Sequence, residues 1–181
     1  KAHTYLSGQL QDRTLKRVYH AIVWGQPKLE GIIDRPLGRD VKNRLRQRVT
    51  SEGREARTHY KVLKYFPGCA LVELRLETGR THQIRVHMNS IGNPVLGDPL
   101  YSGRDERLAA VHTLYKNFSK KALSLTTCQA LQAVELSFLH PKDDIRLSFT
   151  SEIDGEFKTL LEYLEPHVLN DLTLKESTKE K

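Results

Sequence analysis

Three short stretches alternate apolar and polar residues, and that period admits one backbone geometry. In Ala70–Thr78, Val72, Leu74 and Leu76 fall on one side, and Glu73, Arg75 and Glu77 on the other. Val134, Leu136 and Phe138 repeat the pattern within Leu131–Leu139, as do Ile145, Leu147 and Phe149 within Ile145–Thr150. A strand turns successive side chains to opposite faces, so each stretch predicts a half-buried β-strand. Thr58–Phe66 precedes the first across Phe66-Pro67-Gly68, and His140-Pro141-Lys142-Asp143-Asp144 separates the other two. Both linkers carry turn residues, which predicts two antiparallel hairpins. Val18–Trp24 reads as a further strand, closed by Gly25-Gln26-Pro27.

Helical spacing appears in three places. Leu6 and Leu10 suggest a short helix over residues 2–12. Ile84, Met88 and Ile91 predict a helix with Thr81 as its N-cap and Gly92 just past its end. Phe157, Leu160, Leu161 and Leu164 form the stripe of a helix that begins at Asp154 and stops at Pro166. Residues 26–57 are polar and weakly periodic, and read as loop with a short strand at Gly31–Ile33. The expected fold class is α+β, a mostly antiparallel mixed sheet with flanking helices. One domain is expected over residues 1–166, followed by a frayed polar tail over 167–181.

Several chemistries find no support in the sequence. No apolar run approaches the roughly 20 residues that span a bilayer, so no membrane partner is expected. No GxGxxG or GxxxxGK[ST] string is present to cradle a nucleotide cofactor. Cys69 and Cys128 have no CxxC spacing, and the eight histidines include no HExxH, so neither a disulfide framework nor a metal site is expected. Lys1–Arg13 lacks the apolar core of a secretion signal. A reduced, cytoplasmic setting is the expectation, with no cofactor. The sequence starts at Lys1 rather than Met, and an upstream segment is expected.

Charge is distributed unevenly. Residues 1–60 hold thirteen Lys and Arg against six Asp and Glu, whereas residues 61–181 balance at sixteen of each. The whole excess of +7 is therefore N-terminal. It is densest at Arg35, Arg39, Lys42, Arg44, Arg46 and Arg48, within a stretch marked by Pro36 and Gly38. Such a segment is either a solvated basic loop or a receptor for phosphate backbone, where each contact releases a counterion.

Leu76–Met88 concentrates Arg80, His82, Gln83, Arg85 and His87 at a strand-to-helix junction. Arg85 falls about 100° from Ile84 on the helical wheel, at the border of the apolar stripe. From there it can bury its stem and present its guanidinium to a carboxylate or phosphate, or it can remain an ordinary surface arginine.

Gly79-Arg-Thr-His-Gln-Ile-Arg-Val-His-Met88, followed by Gly92-Asn-Pro-Val-Leu-Gly-Asp-Pro-Leu-Tyr-Ser-Gly103, resembles the signature of the RluA/RluD-type RNA pseudouridine synthases. Lys16-Arg-Val-Tyr-His-Ala-Ile-Val-Trp-Gly25 resembles the family's second motif, and Leu136-Ser-Phe-Leu-His-Pro141 its closing hairpin. The resemblance runs in order over roughly residues 1–165. It implies a pseudouridine synthase-like fold, of which this chain is the C-terminal half of the catalytic domain. It further implies isomerisation of uridine to its carbon-linked isomer in structured RNA, with large-subunit ribosomal RNA as the leading substrate and no metal or cofactor. By motif position Tyr19 would stack on the target base and help proton transfer, and Arg85 would pair with the nucleophilic Asp.

That Asp lies in a His-Arg-Leu-Asp type motif, and no such string occurs in this sequence. Asp12, Asp34, Asp40 and Asp98 stand outside it, and Asp98 reads as structural. Gln132 replaces a His usual in the family. The nucleophile is therefore expected upstream of Lys1, on an N-terminal half that acts as partner to this chain. This chain alone is expected to be inactive, with Arg85 lacking an acidic partner of its own. A non-catalytic RNA-binding module is the competing reading.

Overall fold

A computed structural model of the chain describes residues 1–169. The tail read at 167–181 lies mostly outside the described residues. The elements run α1 (Ala2–Gln11), β1 (Lys16–Trp24), β2 (Glu30–Asp34), β3 (Leu37–Arg39), β4 (Gln47–Val49), β5 (Arg57–Phe66), β6 (Cys69–Leu76) and α2 (Gln83–Ser90). They continue with α3 (Asp105–Ala109), α4 (Lys116–Ser124), β7 (Leu131–Leu139), β8 (Arg146–Thr150) and α5 (Gly155–Leu164). Six strands form one sheet in the order β2-β5-β6-β1-β7-β8, with every pairing antiparallel. β3 and β4 form a separate two-stranded ribbon. The fold is α+β, with helices on both faces of the sheet.

Alternation along the central strand β1 builds both layers of the core. Ile22 and Trp24 point to one face, where Cys69 and Leu71 of β6 meet Ala122 and Leu123 of α4 and Phe157, Leu160 and Leu164 of α5. Tyr19, Ala21 and Val23 point to the other, beside Val72 and Leu74, and there Ile84 and Met88 of α2 close over the sheet. Cys69 is a free core thiol whose burial pushes its pKa up to about 12. It therefore stays protonated and inert at physiological pH.

Two expectations need correction. The basic stretch is a folded ribbon rather than an irregular loop. Leu37 is buried and exchanges two backbone hydrogen bonds with Arg54, at 2.8 and 2.9 Å. The Asp40 carboxylate accepts the backbone N–H groups of Lys42 and Asn43 and fixes the turn. These contacts also hold the Asp40 pKa below its ordinary value. The second correction concerns the start of α2. The residue before the helix is His82 in left-handed geometry (φ +56°), not Thr81 as a side-chain cap. Gln83 takes over the stapling. Its Oε1 accepts from Thr78 Oγ1 and the Arg80 N–H, and its Nε2 donates to the Arg57 carbonyl and Thr58 Oγ1.

Candidate active site

The junction from β6 into α2 places Arg85 inside the molecule. Its side chain is only 10% exposed, and Nε and Nη2 donate to the two oxygens of Asp98 at 2.7 and 2.8 Å. Asp98 Oδ1 also accepts the backbone N–H groups of Leu100 and Tyr101. The expectation of an Arg85 without an acidic partner from this chain is therefore overturned. The Gly97-Asp98-Pro99 turn folds back beneath α2 and delivers a carboxylate in fork-to-fork geometry. The hydrogen bonds that Arg85 donates to Asp98 outweigh desolvation and hold the Arg85 pKa above its usual value.

Tyr101 is the floor of this pair. Its ring lies 4.9 Å from the Arg85 guanidinium carbon and 5.2 Å from that of Arg46, so two cations share one aromatic face system. Its hydroxyl accepts the Gln47 N–H of the ribbon at 2.8 Å and meets His82 Nδ1 at 2.9 Å. The left-handed turn at His82 is what brings the imidazole to that hydroxyl. Tyr101 thus ties the basic ribbon to the helix that bears Arg85.

The six basic ribbon residues divide by environment. Arg35 donates to the Ser90 carbonyl at the end of α2, and Arg46 lies against Tyr101. Arg39, Lys42, Arg44 and Arg48 are exposed, and none has a carboxylate within 4.0 Å among the described residues.

Tyr19 stands in β1 opposite Leu74, at an irregularity where the pairing with β7 shifts register. Apolar neighbours hold its ring on the α2 face of the sheet, and its hydroxyl makes no hydrogen bond among the described residues. Tyr19 and Arg85 make no direct hydrogen bond. Their connection runs through α2, whose Ile84 and Met88 share the Tyr19 cluster while Arg85 turns toward Asp98. Sequence reasoning missed the roles of Tyr101 and of Asp98 as the Arg85 partner. The only available signal was the proximity of a buried-type Asp and Tyr within one Gly-Asp-Pro-Leu-Tyr string.

His87 is fully buried. Its Nε2 donates to the Arg35 carbonyl at 3.0 Å, so its Nδ1 accepts from Thr58 Oγ1 at 2.8 Å, which fixes a neutral tautomer. Burial is the leading cause that lowers the pKa of His87, and also of His20 and His82. A histidine held neutral in the fold binds its proton first in the unfolded chain. Stability is therefore complete above the unfolded value near 6.5 and should fall as pH drops below it. The urea midpoint should be lower at pH 5.5 than at pH 7.5; an equal or higher midpoint at pH 5.5 would contradict these environments.

Comparison with known proteins places this geometry. The model of the RNA pseudouridylate synthase family matches residues 1–90. The ribosomal large subunit pseudouridine synthase D of Zymomonas mobilis is 41% identical over 165 residues, covering 90% of this chain and 49% of the relative. Its namesake in Pseudomonas aeruginosa is 40% identical over 164 residues, covering 91% and 50%. The chain thus spans about half the length of the curated relatives it matches. The solved structure of human RNA pseudouridylate synthase domain containing 1 superposes with a TM-score of 0.67 at 22% identity, covering 98% of this chain and 71% of that one.

Proposed function

The chain belongs to the RluA/RluD-type RNA pseudouridine synthase family, and on that premise we propose that it supplies the base-stacking and RNA-holding part of a uridine isomerase. The substrate is structured RNA, with large-subunit ribosomal RNA the leading candidate because the relatives carry that name. The observation that carries the reading is Tyr19. Its ring is held by core contacts on one side but is only half-buried, and its hydroxyl makes no protein hydrogen bond among the described residues, so the exposed part of the ring and its polar end stay open to a ligand. A uridine flipped from its stack would lie on that ring. Arg85, charged at every accessible pH and held by Asp98, would orient the attacking carboxylate.

The attacking carboxylate itself comes from the upstream half. Asp98 is 1% exposed beneath α2, with both oxygens engaged, so a substrate sugar cannot reach it and it does not take that role. The sheet supports a covering partner on this side. On the Tyr19 face, Leu136 and Phe149 are 40% and 54% exposed, and Phe138 stacks on Phe149 at 5.9 Å. These apolar side chains grouped on one strand pair are what a covering partner would bury.

The test is tritium release from RNA carrying uridine labelled at carbon 5. The 181-residue chain should release none, and addition of the upstream half should restore release. Turnover by the chain alone would overturn the upstream assignment. Failure of the combined halves would favour the RNA-binding module. A second measurement addresses the ribbon. Replacing Arg39, Arg44 and Arg48 with glutamine should reduce the log–log salt slope of RNA affinity by about two, at roughly 0.7 per single-strand phosphate contact. An unchanged slope would make the ribbon a solvated surface only.

A further inference from the structure

Among the described residues, Arg17 of β1 is a guanidinium with no carboxylate partner. Strand alternation puts it on the same face as Tyr19, two residues away, with Leu136 opposite on β7. Its Nε is buried, and among the described residues it makes no hydrogen bond and no carboxylate stands within 4.0 Å. It lines an open cleft of about 420 Å³ with α1, Arg13, Glu55, Glu77, Gly79 and Arg80. The two carboxylates there are already taken. Arg13 binds Glu55 at 2.6 Å and Glu77 at 2.7 Å, and Glu77 also pairs with Arg57 and His59. Arg80 uses Nε on the Glu55 carbonyl, which leaves the other nitrogens of its guanidinium free. Position 79 is open because it is glycine. A Cβ there would lie 2.4 Å from Arg17 Nη1, so any side chain would displace the guanidinium.

We propose that Arg17, assisted by Arg80, forms a phosphate-binding subsite for the nucleotide whose base rests on Tyr19. The proposal rests on the base-stacking reading of Tyr19. Guanidinium forks accept carboxylate or phosphate. The three arginines that line the cavity exceed its two carboxylates by one charge, and one phosphodiester neutralises that excess. Two residues along a strand span about 6.7 Å, a reach within a single nucleotide, so base and phosphate of one residue can be held at once. Such a clamp fixes the extruded nucleotide at both ends, which is what an enzyme acting on the sugar between them requires.

The test follows the Arg17 Nε–H and Tyr19 ring resonances of the 181-residue chain. The probes are inorganic phosphate, uridine 5′-monophosphate, uridine and acetate. Phosphate and the monophosphate should shift Arg17 saturably, whereas acetate at the same concentration should not. The monophosphate and uridine should shift Tyr19. R17Q should weaken the monophosphate about tenfold without changing uridine. G79A, which keeps every charge, should do likewise by displacing the guanidinium, and it remains informative if R17Q does not fold. An Arg17 resonance unmoved by either phosphate probe would overturn the subsite, as would an equal response to acetate, which would identify a carboxylate receptor. A Tyr19 ring unmoved by uridine while phosphate still shifts Arg17 would instead remove the stacking reading and leave the anion site.

Discussion

Replacing Asp98 with alanine should destabilise the fold by about 3–5 kcal/mol, the usual consequence of removing one partner from a buried ion pair. Asp98 is 1% exposed and Arg85 8% exposed, so water cannot resolvate the abandoned guanidinium without opening the structure. The same carboxylate also accepts two backbone N–H groups, which would be orphaned together. The double variant D98A/R85M should recover most of the loss, because exchanging both charges of a buried pair for apolar groups is often near neutral. Chemical denaturation of the four proteins in the cycle measures this directly. The double variant should fold and yet be inactive when combined with the upstream half, which separates the structural work of the pair from its part in catalysis. A loss under about 1 kcal/mol for D98A, the range of exposed pairs, would mean that solvent reaches Arg85.

The elements that declare themselves in the sequence are those whose stability comes from a periodic face. β6 and α5 bury their apolar stripes, and their expected and observed bounds differ by one or two residues; β7 has the expected bounds, Leu131–Leu139, although its Leu136 stays exposed. α4 escaped notice although Phe118, Ala122 and Leu125 recur at i, i+4 and i+7, because polar residues, three of them lysines, occupy most of the positions around them. The ribbon escaped for a different reason. Its three-residue strands carry no readable period. They exist through Leu37 pairing with Arg54, the turn around Asp40, and the bond from Gln47 to Tyr101, contacts that span up to 54 residues. No local pattern encodes such a contact.

The site was legible as a set of residue types and not as a set of partners. The wheel puts Arg85 at the border of an apolar stripe, which leaves a stem-buried cation and a surface arginine both open. Its partner could not be read either, because both a carboxylate from this chain and one from elsewhere fit that position equally well. The conformation of His82 was hidden too. Left-handed backbone at a non-glycine residue is a tertiary outcome, here fixed by Gln83 on one side and Tyr101 on the other. Arg17 stands out in the sequence only as part of the Lys16–Gly25 motif and the N-terminal charge excess; strand alternation puts it on the Tyr19 face.

On the proposed function, Tyr19→Phe in the chain combined with its upstream half should lower turnover by roughly a hundred- to ten-thousand-fold, the range for removal of a proton-transfer group, and leave RNA affinity unchanged. The ring of Tyr19 packs among Ala21, Leu74 and Leu131, contacts that phenylalanine preserves. The hydroxyl, by contrast, makes no bond among the described residues, so its loss leaves no protein group unsatisfied and should not alter the urea midpoint. A change confined to kcat therefore isolates the proton-transfer role from packing. Tyr19→Leu removes the ring as well and should weaken RNA binding by about 1–3 kcal/mol, the worth of one base on an aromatic platform. The two variants order the contributions: the phenylalanine variant reports the hydroxyl, and the difference between them reports stacking. Wild-type kcat in Tyr19→Phe would make the hydroxyl a spectator and shift proton transfer to another group. Equal affinity for all three proteins would mean that the base lies elsewhere, and the sheet face that carries Arg17 and Tyr19 would then have no claim to the uridine.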